Sequence, residues 1–257
     1  MQEKKVSVPY RILKWLIWLF YPKMEVVGTE NLPEEPSIVV GNHCQTNGPV
    51  FCELYFPGQR YTWCAGQMMH REEVADYAFE DFWSGKPAYS RWFYRILSHL
   101  ITPFCLCLFN NARTIPVYRD NRMLTTFRET MDRLREGNHV VVFPEHNQPF
   151  NNIIYDFQDR FIDTAKLYYR KTGKELSFVP LYVAPRLKKM VLGKPIRFCA
   201  ANSMEEERQR ICRYLMEEIT AMACALPRHR VVPYRNIPRR YYPFNTPKEA
   251  PHEKTGG

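Results

Sequence analysis

The sequence predicts an α/β fold: a mostly parallel sheet flanked by helices, forming a single domain, with an N-terminal amphipathic helix in front of it. Three observations carry this. Short apolar, β-rich runs alternate along the chain with stretches that are apolar every three or four residues, the order that builds strand–helix–strand units. A length of 257 residues suits one large core. Hydrophobic residues make up 45% of the chain against 25% charged ones, which excludes a disordered chain.

Residues 8–21 open the pattern as a helix with Ile12, Leu13, Leu16, Ile17, Leu19 and Phe20 beside Arg11, Lys14, Trp15 and Trp18. Tryptophan and basic residues flanking an apolar face suit a helix lying in a membrane interface, or one packed on its own domain. Strand candidates follow at 37–41, 61–65, 114–118, 140–143, 178–183 and 189–192. Helical stretches cover 121–136, where Met123, Leu124, Phe127, Met131 and Leu134 share a face, and 203–225, where Ser203 and Glu206 have capping-box spacing. From Pro227 the character changes: six of the twenty prolines fall in the last 31 residues, and residues 227–242 hold five arginines and no acid. The organisation is therefore an amphipathic interfacial helix over 1–24, an α/β domain over 25–226, and an extended or disordered Pro/Arg-rich tail over 227–257.

The formal charge of +9 calls for an anionic partner: nucleic acid, a membrane surface, or an acidic carrier or substrate. Nucleic acid is not expected, because helix-turn-helix, RNP and zinc-finger patterns are absent. The eight cysteines form no C-x-x-C pair and read as thiols in a reducing compartment. Nearly uncharged runs at Leu16–Pro22 and Ile96–Ala112 fall short of about 20 apolar residues, and Pro103, Asn110 and Asn111 interrupt the second. The expectation is peripheral attachment to the cytoplasmic side of a membrane, with no transmembrane helix and no cleaved signal peptide. Oligomeric state cannot be read from the sequence.

Four segments suggest chemistry. Gly41-Asn42-His43 follows a strand and turns toward a helix, at the kind of sheet edge where open α/β folds bind ligands. Ile115–Arg119 is a strand closed by an arginine able to grip a phosphate bidentately. Val140–Phe143 followed by Pro144-Glu145 delivers a carboxylate to the same edge, and Phe178-Val179-Pro180 precedes Gly193-Lys194-Pro195-Ile196. That order resembles the phospholipid/glycerol acyltransferase family, which includes lysophosphatidate acyltransferases. The matches are Asn42-His43, Ile115–Arg119, Phe143-Pro144-Glu145, Val179-Pro180 and Gly193-Lys194-Pro195, across roughly residues 25–225.

The resemblance implies transfer of an acyl group from a thioester, on coenzyme A or acyl carrier protein, to a hydroxyl of a glycerolipid or lysophospholipid acceptor. It implies His43 as general base with Asn42 and Glu145 in the catalytic group, and an acceptor bound by Arg119, Glu145, His146 and Asn147. No cofactor and no metal are implied beyond the acyl donor. Two departures stand out. The family has an Asp five residues after its His, where this chain has Gly48; and the third block runs Glu145-His146-Asn147-Gln148, without the family's Gly and Arg.

Three readings stay open. Asn47, Glu53 or Glu145 orients His43 and acyl transfer persists. Alternatively Cys44, beside His43 near a helix start, acts as an acyl-accepting thiolate. Or the fold is kept as a catalytically impaired lipid- or acyl-binding protein.

Overall fold

The computed structural model describes residues 7–118 and 120–246; Arg119 and the last residues of the tail, 247–257, lie outside the described residues. In chain order the elements begin with α1 (Val8–Phe20), β1 (Glu25–Val27), β2 (Ser37–Gly41), α2 (Asn47–Tyr55), β3 (Arg60–Ala65) and α3 (Arg71–Trp83). They continue with α4 (Arg91–Asn111), β4 (Thr114–Val117), α5 (Met123–Arg135), β5 (His139–Val142), β6 (Glu145–Pro149) and β7 (Tyr155–Phe157). The last are α6 (Asp163–Thr172), β8 (Ser177–Ala184), β9 (Lys189–Leu192), β10 (Ile196–Arg197) and α7 (Met204–Ala225). The fold is α/β, with a mostly parallel sheet and flanking helices. By contacts the chain divides into two compact units, residues 1–22 with 61–130 and residues 23–60 with 131–257.

In the second unit the strands run in the order β1-β9-β8-β2-β5, with β10 beside β8. The central β2 is parallel to β8 on one side and to β5 on the other, pairing Val40 with Pro180 and with Val142. All five residues of β2 and all four of β5 are buried, which is why they read as continuous apolar runs and not as alternating ones. The shared direction brings the carboxyl ends of β2, β5 and β8 to one edge. Pro180 is accommodated in β8 because the antiparallel partners leave a gap there: β10 pairs with Ser177–Phe178 and β9 with Leu181–Ala184. The α7 helix packs on β8 through buried Ile211, Leu215 and Ile219, and its start carries the Ser203–Glu206 capping box.

In the first unit β3 and β4 are parallel, and α4 packs against both α1 and α3. The α4 helix is inside out for water. It buries the small hydroxyl residues Ser98 and Thr102 while Trp92, Phe93, Ile96, Leu100 and Phe104 are exposed. Trp15, Trp18, Leu19 and Phe20 of α1 are exposed as well. The sequence leaves Ile96–Ala112 short of a spanning length with Pro103, Asn110 and Asn111 inside it; the structure carries one helix of 21 residues, Arg91–Asn111, through that proline. With the turn before it, Ala88–Asn111 is long and apolar enough to cross a membrane by length and composition. Ser98 and Thr102 bond back to the carbonyls of Arg95 and Ser98 at 2.8 and 3.0 Å, so both buried hydroxyls are paired within the helix.

The tail corrects a second expectation. Residues 227–246 do not trail away as an arm: His229, Val231, Val232, Tyr242 and Asn245 are buried. Proline and arginine content concealed a closed loop whose ends pair with each other, Val231 N–H donating to the Pro243 carbonyl (2.8 Å) and Arg230 bridging Phe244. Asn245 Nδ2 donates to the Ala223 carbonyl at the end of α7, and its Oδ1 accepts from His229 N–H. His229 Nδ1 faces the Pro227 carbonyl, an acceptor only, so Nδ1 carries the proton and Nε2 accepts from the Tyr182 hydroxyl at 2.8 Å.

Candidate functional site

The site grows from the end of β2. Asn42, fully buried, acts as an extra strand residue: its Oδ1 accepts from Val183 N–H (2.7 Å) and its Nδ2 donates to the Val183 carbonyl (3.1 Å). This clamp fixes the point from which the chain leaves the sheet. The next turn is strained, with Cys44 at φ 49° and Gln45 at φ 59°, left-handed positions that cost non-glycine residues on the order of 1–3 kcal/mol each. Three bonds hold it there. Asn42 Nδ2 reaches Cys44 Sγ, Asn47 Nδ2 donates to the Cys44 carbonyl (2.8 Å), and Gln45 Nε2 donates to the Tyr242 hydroxyl (3.0 Å).

The turn holds the His43 ring in an aromatic cage. Its centroid lies 5.5 Å from Phe143 and 5.9 Å from Tyr234, both edge-on, and Tyr234 lies 5.7 Å from Tyr155. Burial lowers the imidazole pKa from 6.5 to about 4, opposed in part by the Gln45 backbone. His43 is therefore a neutral base at physiological pH. Its Nδ1 is buried and makes no hydrogen bond among the described residues.

None of the three groups considered for orienting His43 reaches the ring. Glu145 is buried and spends both oxygens on the backbone, Oε2 accepting from His43 N–H and Oε1 from Tyr155 N–H (3.0 Å). It thus braces the His43 turn against the β6–β7 hairpin. Burial raises its pKa from 4.5 to about 7, against the opposing pull of those two N–H groups. Glu53 is paired with Arg60 at 2.6 Å, and Asn47 is committed to the turn. The position of the family Asp is closed: a Cβ on Gly48 would sit 2.8 Å from the Asn42 and His43 carbonyl oxygens and from the Phe143 ring.

Cys44 sits in the opposite environment to the one a low thiol pKa needs. It is buried, its Sγ faces the Val183 carbonyl at 3.3 Å, and burial with the Glu145 charge pushes its pKa well above the ordinary value. His146 is part-exposed on β6 with Nε2 3.8 Å from Asp156, and Asn147 is exposed on the same strand. Arg119 lies outside the described residues. The structure thus brings Asn42, His43, Cys44 and Glu145 together, while His146 and Asn147 extend outward along the hairpin. Sequence reasoning missed Tyr155, Tyr234, Gln45 and Tyr242. The one signal available for Tyr234 and Tyr242 was the aromatic content of the tail beside a basic run.

Among the described residues no group of three or more His, Cys, Asp and Glu side chains is placed to hold a metal ion. All eight cysteines are free thiols.

Among solved structures, the chain is similar to the 1-acyl-sn-glycerophosphate (LPA) acyltransferase PlsC from Thermotoga maritima, at 15% identity over 86% of this chain and 84% of that one, with a TM-score of 0.45. No family model matches the sequence, and no curated protein matches it.

Proposed function

We propose that the protein transfers an acyl group from a thioester donor, acyl-CoA or acyl carrier protein, to a hydroxyl of a glycerolipid-type acceptor. The observation that carries this reading is His43: a neutral imidazole held at the carboxyl edge of parallel strands, on a strained turn, with an Nδ1 that is bonded to no side chain. The acceptor hydroxyl gives its proton to His43 as its oxygen attacks the thioester carbonyl. The C–S bond then breaks, and the leaving thiolate takes the proton back from the imidazolium. Glu145 is a positioning residue that holds the His43 backbone, not a partner of its ring. Asn42 holds the turn through Val183 and is likewise a positioning residue.

An imidazole without a carboxylate partner is a weak base. The comparable Asp-to-Asn change in serine proteases lowers kcat by about 10⁴. That favours a second reading, in which the site binds lipid or acyl chains without turnover. The inverted amphipathicity of α4 and the exposed tryptophans of α1, beside Arg11, Lys14, Arg91 and Arg95, support work at an anionic lipid surface under either reading.

The two readings separate in one experiment. The protein, in anionic vesicles containing lysophospholipid, is given acyl-CoA, and the acylated acceptor is measured by mass spectrometry. Acyl transfer predicts product with wild type and Cys44→Ala and its loss with His43→Ala. Equal product, or none, with wild type and His43→Ala removes the catalytic reading.

A further inference from the structure

We propose that Tyr234, on the C-terminal loop, is a positioning residue for the His43 ring: its ring and that of Phe143 hold the imidazole in an aromatic clamp that takes the place of an orienting carboxylate. The proposal rests on the reading of His43 as the base. It assigns a working part of that base to the tail, beyond the span of roughly 25–225 that the resemblance covers.

The need for a clamp comes from the site. The last side-chain torsion of a histidine is broad and roughly two-fold, so the ring is fixed only by what touches it. The usual restraint is a hydrogen bond to Nδ1, and here no side chain makes one. Glu145 holds only the His43 backbone N–H. The place of the family's Asp is taken by an aromatic ring, since a Cβ on Gly48 would lie 2.8 Å from Phe143 Cε1. Phe143 is itself wedged, because a Cβ on Gly41 would lie 3.0 Å from the same carbon. It forms a fixed wall, 5.5 Å from the imidazole between centroids and at an interplanar angle of 75°.

Tyr234 supplies the second contact. Its ring is perpendicular to the imidazole, at 90° and 5.9 Å between centroids. T-shaped pairs in this range are favourable beyond the area they bury, so turning the imidazole disturbs two such pairs at once. The Tyr234 ring is delivered to this position by a tied loop. Val231, Val232 and Pro233 just before it are buried, Val231 N–H donates to the Pro243 carbonyl, and the Tyr242 hydroxyl accepts from Gln45 in the His43 turn. Tyr155 backs the Tyr234 ring at 5.7 Å, and its N–H donates to Glu145, whose other oxygen holds the His43 backbone. Ring and backbone of His43 are thus held by one connected bracket, Glu145–Tyr155–Tyr234.

Substitutions at Tyr234 test this with two readouts. One is acyl transfer resolved into kcat and KM; the other is NMR titration of the His43 ring, which needs no turnover. Tyr234→Ala removes the ring and Tyr234→Phe keeps it. Tyr234→Leu keeps apolar volume without a flat ring and stands in if the alanine variant does not fold. Tyr241→Ala removes an exposed ring of the same loop. The titratable and charged groups around the turn are the same in every variant: Cys44 on it, Glu145 and Tyr155 on the hairpin, and Arg235 next to Tyr234. The expected result is that Tyr234→Ala lowers kcat by about 3- to 10-fold with KM within about twofold, the loss of one aromatic pair. The His43 titration midpoint rises in the same variant from about 4 toward 6.5 as the ring loses its cover. Tyr234→Phe and Tyr241→Ala keep wild-type values in both readouts. The proposal is overturned if Tyr234→Ala leaves the midpoint unchanged, or if Tyr234→Phe or Tyr241→Ala moves it as far. A Tyr234-dependent midpoint without His43-dependent turnover leaves the clamp standing and removes the catalytic reading. His43-dependent turnover with kcat unchanged in Tyr234→Ala does the reverse.

Discussion

Replacing Glu145 by Gln should expose a pH dependence of stability that wild type conceals. His43 has its pKa lowered from 6.5 to about 4 by folding, so the unfolded state binds more protons between those values. Its contribution is fully present above pH 6.5 and is lost as the pH falls toward 4, at about 1.4 kcal/mol per pH unit. Glu145 has its pKa raised from 4.5 to about 7, so its contribution is present below pH 4.5 and is lost as the pH rises toward 7. The two slopes are equal and opposite between pH 4.5 and 6.5 and cancel in wild type. Glu145→Gln removes the falling slope and leaves the rising one. Relative to wild type, the variant should gain about 2 kcal/mol between pH 4.5 and 6.5, less than two full units of slope because the carboxyl is partly titrated at both ends of that window. Glutamine has one carbonyl oxygen for two backbone N–H groups, so the variant also carries a constant loss of about 1–3 kcal/mol that does not affect the slope. Urea unfolding at half-unit pH steps measures it. Parallel wild-type and Glu145→Gln curves would refute the assignment of a raised pKa to this carboxyl.

Other expectations follow from the same geometry. Gly48→Asp, which restores the family's residue, should not raise activity and should destabilise by about 1–3 kcal/mol or more, because its Cβ meets two carbonyl oxygens and the Phe143 ring; denaturant midpoints and turnover check both parts. Native-state alkylation with iodoacetamide, followed by peptide mass spectrometry, should label exposed Cys224 well before buried Cys44. Asn245→Ala strips the end of α7 and His229 of partners and should cost about 1–3 kcal/mol, with faster amide exchange across residues 229–245. Phe93→Asp with Leu100→Asp on α4 should weaken sedimentation with anionic vesicles without lowering the urea midpoint, since both side chains are exposed.

The strands of the second unit were legible in the sequence because parallel strands buried on both faces leave uninterrupted apolar runs, as at Ser37–Gly41 and Ser177–Ala184. The start of α7 was equally legible, since its capping box is a local pattern. The β6–β7 hairpin was not, because Glu145–Pro149 is polar and its pairing depends on Tyr155–Phe157 beyond a turn. Composition misrepresented the tail most. What orders it is a set of contacts, Tyr182 with His229 and Gln45 with Tyr242, between residues far apart in the chain, and no local window contains such a pair. The meeting of His43 and Glu145 at one sheet edge was legible in the candidate site, but their relation was not. A carboxylate near a histidine suggests a bond to the ring, but in the folded chain Glu145 takes the His43 backbone N–H instead.

The central claim is that His43 removes the acceptor proton, and single-turnover thiol release from acyl-CoA, followed with and without acceptor lipid, tests it most directly. The account predicts acceptor-dependent release that falls by about 10²–10⁴ in His43→Ala. It also predicts that the wild-type rate keeps its neutral-pH value on the acid side until the pH nears 4, where the imidazole gains its proton. Acceptor-dependent release at the same rate in His43→Ala and wild type would contradict it.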